Sequence, residues 1–398
     1  MICLASLLLA KPLEDLRFDS MMMDGSTRGM TEMTLQLHDA TNMLYWSGLD
    51  DVDDRWWILS RVYKGFLGGL AWTGYHVGRI YTVSLHEYGH GSRAMAFGYD
   101  VSYSVAYKDG KTDKVSSYYE LLRDMFKSIP RGIEVVYMHS SGSKKDNLPL
   151  RDEDIPLIKS AGGVNAEMQL AAAVEQRFYE RKRASVYDVF PYLAGKKSIY
   201  NYIRAEEGGL ENGDMSRVIK KYEEKGIDVS FDELKTYNTY AMLLSGSFWA
   251  LVNGWVDYVY TGEDEVRVKE YRGFQWPDVN MYLTRFGPTY HVQTGYRVND
   301  KTRIPFAVET TLKGESKTDY SVGLHRRWLQ TLYTKTELRV GDQLGLSQEV
   351  QFNVSKRWTF EGGVQWMDFR NFYGERQGSL SSTSYKSTEV WIGMRVDL

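Results

Sequence analysis

From about residue 265 onward, apolar and polar residues alternate one for one. Tyr290, Val292, Thr294, Tyr296 and Val298 alternate with His291, Gln293, Gly295 and Arg297. Ile304, Phe306 and Val308 are set against Arg303 and Glu309; Leu346, Val350, Phe352 and Val354 against Ser347, Glu349, Gln351 and Asn353. Trp358, Phe360, Val364 and Trp366 are set against Thr359, Glu361 and Gln365. A period of two is the period of a strand with unlike faces. Short turn signals divide the run at Asn299-Asp300, Gly314-Glu315 and Ser355-Lys356. The spacing predicts about eight strands of roughly ten residues each between 280 and 398. The polar stretch 370–386 predicts a long loop.

Before residue 265 the pattern is helical. Residues 55–98 are the most apolar part of the chain, and the run from Phe66 to His86 is long enough to raise a membrane helix. Arg79, His76 and several glycines interrupt it, so buried core helices are expected instead. In 164–178, Glu167, Ala171, Val174 and Phe178 fall on one helical face. Residues 180–236 read as helices with charged faces, and 237–260 as an apolar last helix. Two short strands are predicted at 101–108 and 132–139, with a polar loop over 140–153. The expected class is α+β: an α-rich region over 15–264, then an antiparallel up-and-down β-barrel of about eight strands over 265–398.

Composition narrows the setting. A net charge of -3 gives no sign of a nucleic-acid partner, and one cysteine, Cys3, excludes an internal disulfide. The 29 tyrosines, 36 glycines and 8 prolines match the usual look of a Gram-negative outer-membrane protein. Residues 1–14, with their apolar run MICLASLLLA, resemble a secretory signal peptide, although no basic region precedes the run. Val390, Ile392, Met394, Val396 and Leu398 share one face, and Gly393 to Leu398 resembles the C-terminal assembly signal of outer-membrane barrels. The alternative is a soluble barrel or β-sandwich, whose strands also alternate. The terminal signal and aromatic strand ends favour lipid as the partner of the outer face.

The chemistry concentrates in His86-Glu87-Tyr88-Gly89-His90. On a helix, residues four apart share a face, so His86 and His90 can reach one ion. Two imidazoles and a carboxylate suit Zn2+, and Glu87 beside them is placed to take a proton from water. Glu167 is the best third ligand, because a carboxylate on an apolar face needs a partner. Asp257 is the reserve and Asp214 a weaker one. His139 reads as structural, and Arg93 is a candidate oxyanion donor.

HEYGHGSRAMAFGYDV, residues 86–101, resembles the zinc helix of the site-2 protease-like metallopeptidases, with Ala94, Gly98 and Val101 in register. SAGGVN, residues 160–165, is similar to that family's AGPxxN segment, with Gly163 in place of Pro. The family's last ligand is an Asp in an Asp-Gly pair, and no Asp-Gly follows Asn165. The stretch from Gly162 to Phe178 also resembles the second zinc helix of gluzincins, which supplies a Glu. The resemblance implies a zincin-like peptidase of open clan, holding zinc and acting on a peptide or protein substrate.

Together these readings predict a zinc-dependent peptidase anchored in the outer membrane. Its metal would be held by His86, His90 and Glu167, with Glu87 as general base. Zincins commonly set a strand edge beside the metal, and either short strand would serve. One rival is a non-enzymatic outer-membrane barrel, for transport or structure, with a vestigial or structural metal site. The other is an inner-membrane protease, which needs uninterrupted apolar helices.

Overall fold

The computed structural model describes residues 17–19, 27–47, 57–62, 77–128, 132–144, 151–209, 213–342, 344–367 and 387–397. The signal-like segment 1–14, His76 and the stretch 370–386 lie outside them. In chain order come β1 (Arg17–Asp19), α1 (Thr27–Ser47), α2 (Trp57–Val62), α3 (Arg79–Ala96), β2 (Asp100–Tyr107), β3 (Thr112–Val115), α4 (Tyr118–Lys127) and β4 (Ile133–Ser141). Next are α5 (Asp154–Arg181), β5 (Arg183–Ser185), α6 (Val189–Lys196), α7 (Ser198–Glu207), α8 (Asp214–Glu224), α9 (Phe231–Leu243) and α10 (Gly246–Thr261). The strands that follow are β6 (Glu265–Arg267), β7 (Glu270–Tyr271), β8 (Phe274–Gln275), β9 (Asp278–Thr284), β10 (Gly287–Asn299) and β11 (Thr302–Thr311). Last come β12 (Thr318–Arg327), β13 (Leu332–Gly341), β14 (Gly345–Asn353), β15 (Trp358–Met367) and β16 (Ser387–Asp397). The class is therefore α+β, and the change of period near residue 265 is the change from helices to strands. Among the described residues, no helix is long and apolar enough to cross a membrane.

Two helices organise the first part. Helix α5 crosses α3 at Gly89 and Gly162, where an added methyl group on either would run into the other's backbone. Glycine at both positions lets the backbones approach closely. A small sheet in the order β3-β2-β4 packs on α3, and among the described residues β4 is an edge strand that pairs only with β2. The core has two parts. One packs α3, α4 and β2 against α5 through Leu85, Tyr103, Leu121 and Val174. The other packs α7, α8 and β9 against the same helix through Ile203, Val218, Val164 and Met281.

Strands β9 to β16 form an antiparallel meander, extended by β1 at one end and by β8 and β7 at the other. The expected closed barrel is corrected here: among the described residues the ladder stays open. The physical reason lies at β9, whose free edge is satisfied by side chains instead of a further strand. Asn165 donates to the Leu283 carbonyl at 2.9 Å and accepts from the Leu283 N–H at 3.0 Å. Lys196 donates to the Val279 carbonyl at 2.5 Å, and the Ser245 hydroxyl accepts from the Val279 N–H at 2.9 Å. With its backbone groups paired in this way, β9 offers no edge for a closing strand.

The two faces of the meander are inverted relative to a soluble sheet. Glu349, Glu361 and Lys335 point inward and are 3%, 4% and 9% exposed. Their neighbours Val350, Phe360 and Phe352 point outward at 40%, 48% and 48%, and Ile392 reaches 86%. Registers align the outward positions across strands, as in Phe306↔Val322↔Leu338↔Leu346↔Trp366. The inner charges pair with one another: His325 with Glu337 at 3.0 Å, Arg297 with Glu270 at 2.7 Å, and Arg339 with Glu309.

Candidate metal centre

Helix α3 carries His86 and His90 on one buried face, four residues apart. Their Nε2 atoms lie 3.0 Å from each other. The Asp214 Oδ2 sits 3.1 Å from the His86 Nε2 and 3.0 Å from the His90 Nε2. These three atoms make a nearly equilateral triangle and form a group that could hold a metal ion. Donors so spaced can share one ion at bond lengths of about 2.0–2.2 Å.

Each ligand is held from behind. A carbonyl oxygen only accepts, so the His90 Nδ1 donates to Lys159 O, at 2.6 Å, which leaves the Nε2 lone pair facing the triangle. The His86 Nδ1 lies 3.1 Å from the Glu167 Oε1, with both groups buried. Such a carboxylate fixes the ring and its tautomer and makes the other nitrogen more basic. The Tyr202 ring stacks on His86 at 4.3 Å between centroids and 5° between planes. Asp214 opens α8, where a negative charge is favoured by the helix dipole. Glu206 of α7 fixes that helix start by accepting from the N–H groups of Met215 at 2.8 Å and Ser216 at 2.7 Å. Gly163 lies directly against both imidazoles, and a methyl group there would overlap them. The glycine that replaces proline in the SAGGVN segment thus makes room for the cluster.

The electrostatics match a cation site. Burial disfavours a charged imidazole at His86, but Glu167 and Asp214 outweigh it and push its pKa up to about 10. Burial also works against ionisation of Asp214, yet the two histidines hold its carboxyl far below the usual range. Burial raises the Glu87 carboxyl, with partial opposition from His90 and His86 and from a hydrogen bond donated by the Met138 backbone on β4.

The structure brings together His86, His90 and Asp214, with Glu87 beside them. Glu167, predicted as the third ligand, lies behind His86 and contacts the nitrogen turned away from the triangle. In the group that could hold a metal ion, Asp214 stands where Glu167 was expected. Asp257 lies on α10, exposed and outside the converging group. Arg93 is fully buried on α3, where its Nη1 donates to the Ser92 hydroxyl at 3.2 Å and its stem packs near Gly162. His139 sits on β4 with its Nε2 2.9 Å from the Ser104 hydroxyl. Tyr202 and Glu206 escaped the sequence reading. Their spacing of four on one amphipathic helix was visible, but nothing in it pointed to the metal helix. No known protein family, characterised protein or solved structure matches this chain.

Proposed function

We propose that this chain is a zinc-dependent peptidase that hydrolyses amide bonds and is anchored in the outer membrane by its sheet. The observation that carries the reading is the convergence of His86, His90 and Asp214, with Glu87 next to His86 on the same helix. The donor set, two imidazoles and a carboxylate backed by Glu167, fits zinc, and the resemblance of residues 86–101 to peptidase zinc helices points the same way. In such a site zinc supplies electrophilic activation of a carbonyl and of water.

The chain's own residues do the rest. Only β2 pairs with β4 among the described residues, so the free edge of β4 can take an extended peptide by backbone hydrogen bonds. A peptide lying there runs past the Glu87 carboxylate. Glu87 takes a proton from the attacking water and delivers it to the leaving nitrogen as the C–N bond breaks. The products are a carboxylic acid and an amine. A carboxyl raised by burial is suited to both halves of this transfer. His90 is kept in the correct tautomer by Lys159, and His86 by Glu167.

The membrane part of the reading rests on the inverted sheet. An outward face of Phe, Val, Leu and Trp is costly in water and favourable in lipid, while the buried inner face carries the charges. Two measurements test the proposal together. Metal analysis with casein hydrolysis should show zinc and an activity abolished by Glu87→Gln. Membrane fractionation should recover the chain with the outer membrane. An inactive, metal-free protein would refute the enzymatic half. Recovery in the soluble fraction without detergent would refute the membrane half.

A further inference from the structure

At the far end of α5 from the metal cluster, a second site is built on different residues. Tyr179 lies twelve residues after Glu167 on that helix, about 18 Å along its axis. There α5 and the inner face of the sheet enclose a chamber of about 290 Å³. Its walls carry eight basic side chains and four acidic ones, and three of the basic ones, Arg177, Arg297 and Lys335, are paired with Asp39 and Asp188, Glu270 and Glu349.

Arg303 on β11 is the residue that needs a partner. Its guanidinium lies over the Tyr179 ring at 4.4 Å. It also lies close to Gly295 of β10, where a Cβ would sit 2.7 Å from its Nε. The Tyr179 ring is itself held by its hydroxyl, which donates to the Trp276 carbonyl at 3.2 Å. The guanidinium is thus held against a ring and close to a glycine, with its Nε buried and unpaired. No carboxylate pairs with it among the described residues. The nearby Glu180 Oε1 accepts instead from the Gln176 side chain at 2.9 Å and faces Lys335 at 3.4 Å. Burial lowers the Arg303 pKa, as befits a charge short of a counter-charge.

We propose that this chamber is a binding site for a phosphate-class oxyanion, organised by Arg303. A clamped guanidinium presents its planar fork of donors without further loss of freedom, and that fork matches two oxygens of a phosphate. The Arg303 Nε is buried without a hydrogen-bond partner, and a buried donor left unpaired is unfavourable until an acceptor arrives. Lys335 and Arg395 line the same chamber. The phosphate can be free or can belong to a lipid headgroup, since both present the same oxygens.

Calorimetry on the full chain in detergent tests this, with inorganic phosphate titrated against sodium chloride of equal ionic strength. Saturable binding of one phosphate per chain is expected. Arg303→Met should weaken it by about tenfold or more, as loss of a charge-assisted bidentate contact implies. Gly295→Ala displaces the guanidinium but keeps every charge, and it should weaken binding as well. This second variant remains decisive if Arg303→Met fails to fold by circular dichroism. A parallel titration with dihexanoyl phosphatidate identifies the source: tighter binding than inorganic phosphate points to a lipid headgroup, equal or weaker binding to the free anion. No saturable binding in the parent, or equal affinity in parent and both variants, overturns the site.

Discussion

Replacing Asp214 with Asn and, separately, Glu167 with Gln separates the ligand from its support. Asp214 contributes one of three converging donor atoms, 3.0 and 3.1 Å from the two imidazole nitrogens. Zinc sites are worth about 10–16 kcal/mol in total, spread over their ligands. Asn keeps a neutral oxygen there but loses the carboxylate's charge, which should cost about 3–5 kcal/mol, or on the order of a thousandfold in affinity. Glu167 touches only the far nitrogen of His86, at 3.1 Å. Loss of such a supporting carboxylate typically weakens metal binding by about 10–100-fold. Gln at that position still offers an oxygen to the His86 Nδ1, so the lower end is expected. The assay is competition of each purified variant against a chromophoric zinc chelator, with circular dichroism to check the fold. Asp214→Asn should lose zinc at chelator concentrations where Glu167→Gln keeps it. If Glu167→Gln loses zinc and Asp214→Asn binds like the parent, Glu167 is the ligand and the triangle of donors is not the metal site.

Four further outcomes follow from the same structure. Glu87→Gln should keep zinc and lower peptide hydrolysis by about 10²–10⁴, as loss of a general base does; undiminished turnover would remove Glu87 from the mechanism. Gly163→Ala should weaken zinc binding in the chelator assay, because the new methyl group meets both imidazoles; unchanged affinity would show that α5 can shift at no cost. Val350→Arg should impair membrane assembly by about 2–4 kcal/mol, whereas Gln351→Arg, on the inner face, should be tolerated; equal heat-modifiable gel migration of both variants and parent would refute a lipid-facing sheet. Burial alone would raise the Glu309 carboxyl, but Arg339 and His291 outweigh it and hold it at about 2. A depressed carboxyl stabilises the fold above its ordinary range and loses that contribution as pH falls from about 4.5 to 2, in all about 3 kcal/mol. Arg339→Met should flatten the denaturation-versus-pH curve in that window, and an unchanged slope would assign the acid sensitivity elsewhere.

Much of this was legible along the chain. The period of two from residue 265 corresponds to strands β6 to β16, because alternation is a local property of backbone geometry. The unlike faces were legible for the same reason. His86, Glu87 and His90 are close in sequence, and helical spacing alone places the two histidines side by side. The strands at 101–108 and 132–139 were also local signals, and they reappear as β2 and β4.

What the chain alone left open were matters of long-range placement. Glu167 was chosen as a ligand because a carboxylate on an apolar helix face needs a partner. It has one, but the partner is the back of His86. Asp214 lies 124 residues beyond His90, at the start of a helix whose apolar face (Met215, Val218, Tyr222) does not include it, and only the packing of α7 and α8 against α3 and α5 brings it to the imidazoles. Which short strand is the free edge depended on pairing partners, since β2 and β4 have the same local pattern and, among the described residues, only β2 acquires two neighbours. Closure of the sheet was equally invisible. Alternation specifies which face of a strand is apolar, but whether its edge pairs with another strand or with Asn165, Ser245 and Lys196 is decided by groups that are distant in sequence and adjacent only in the fold.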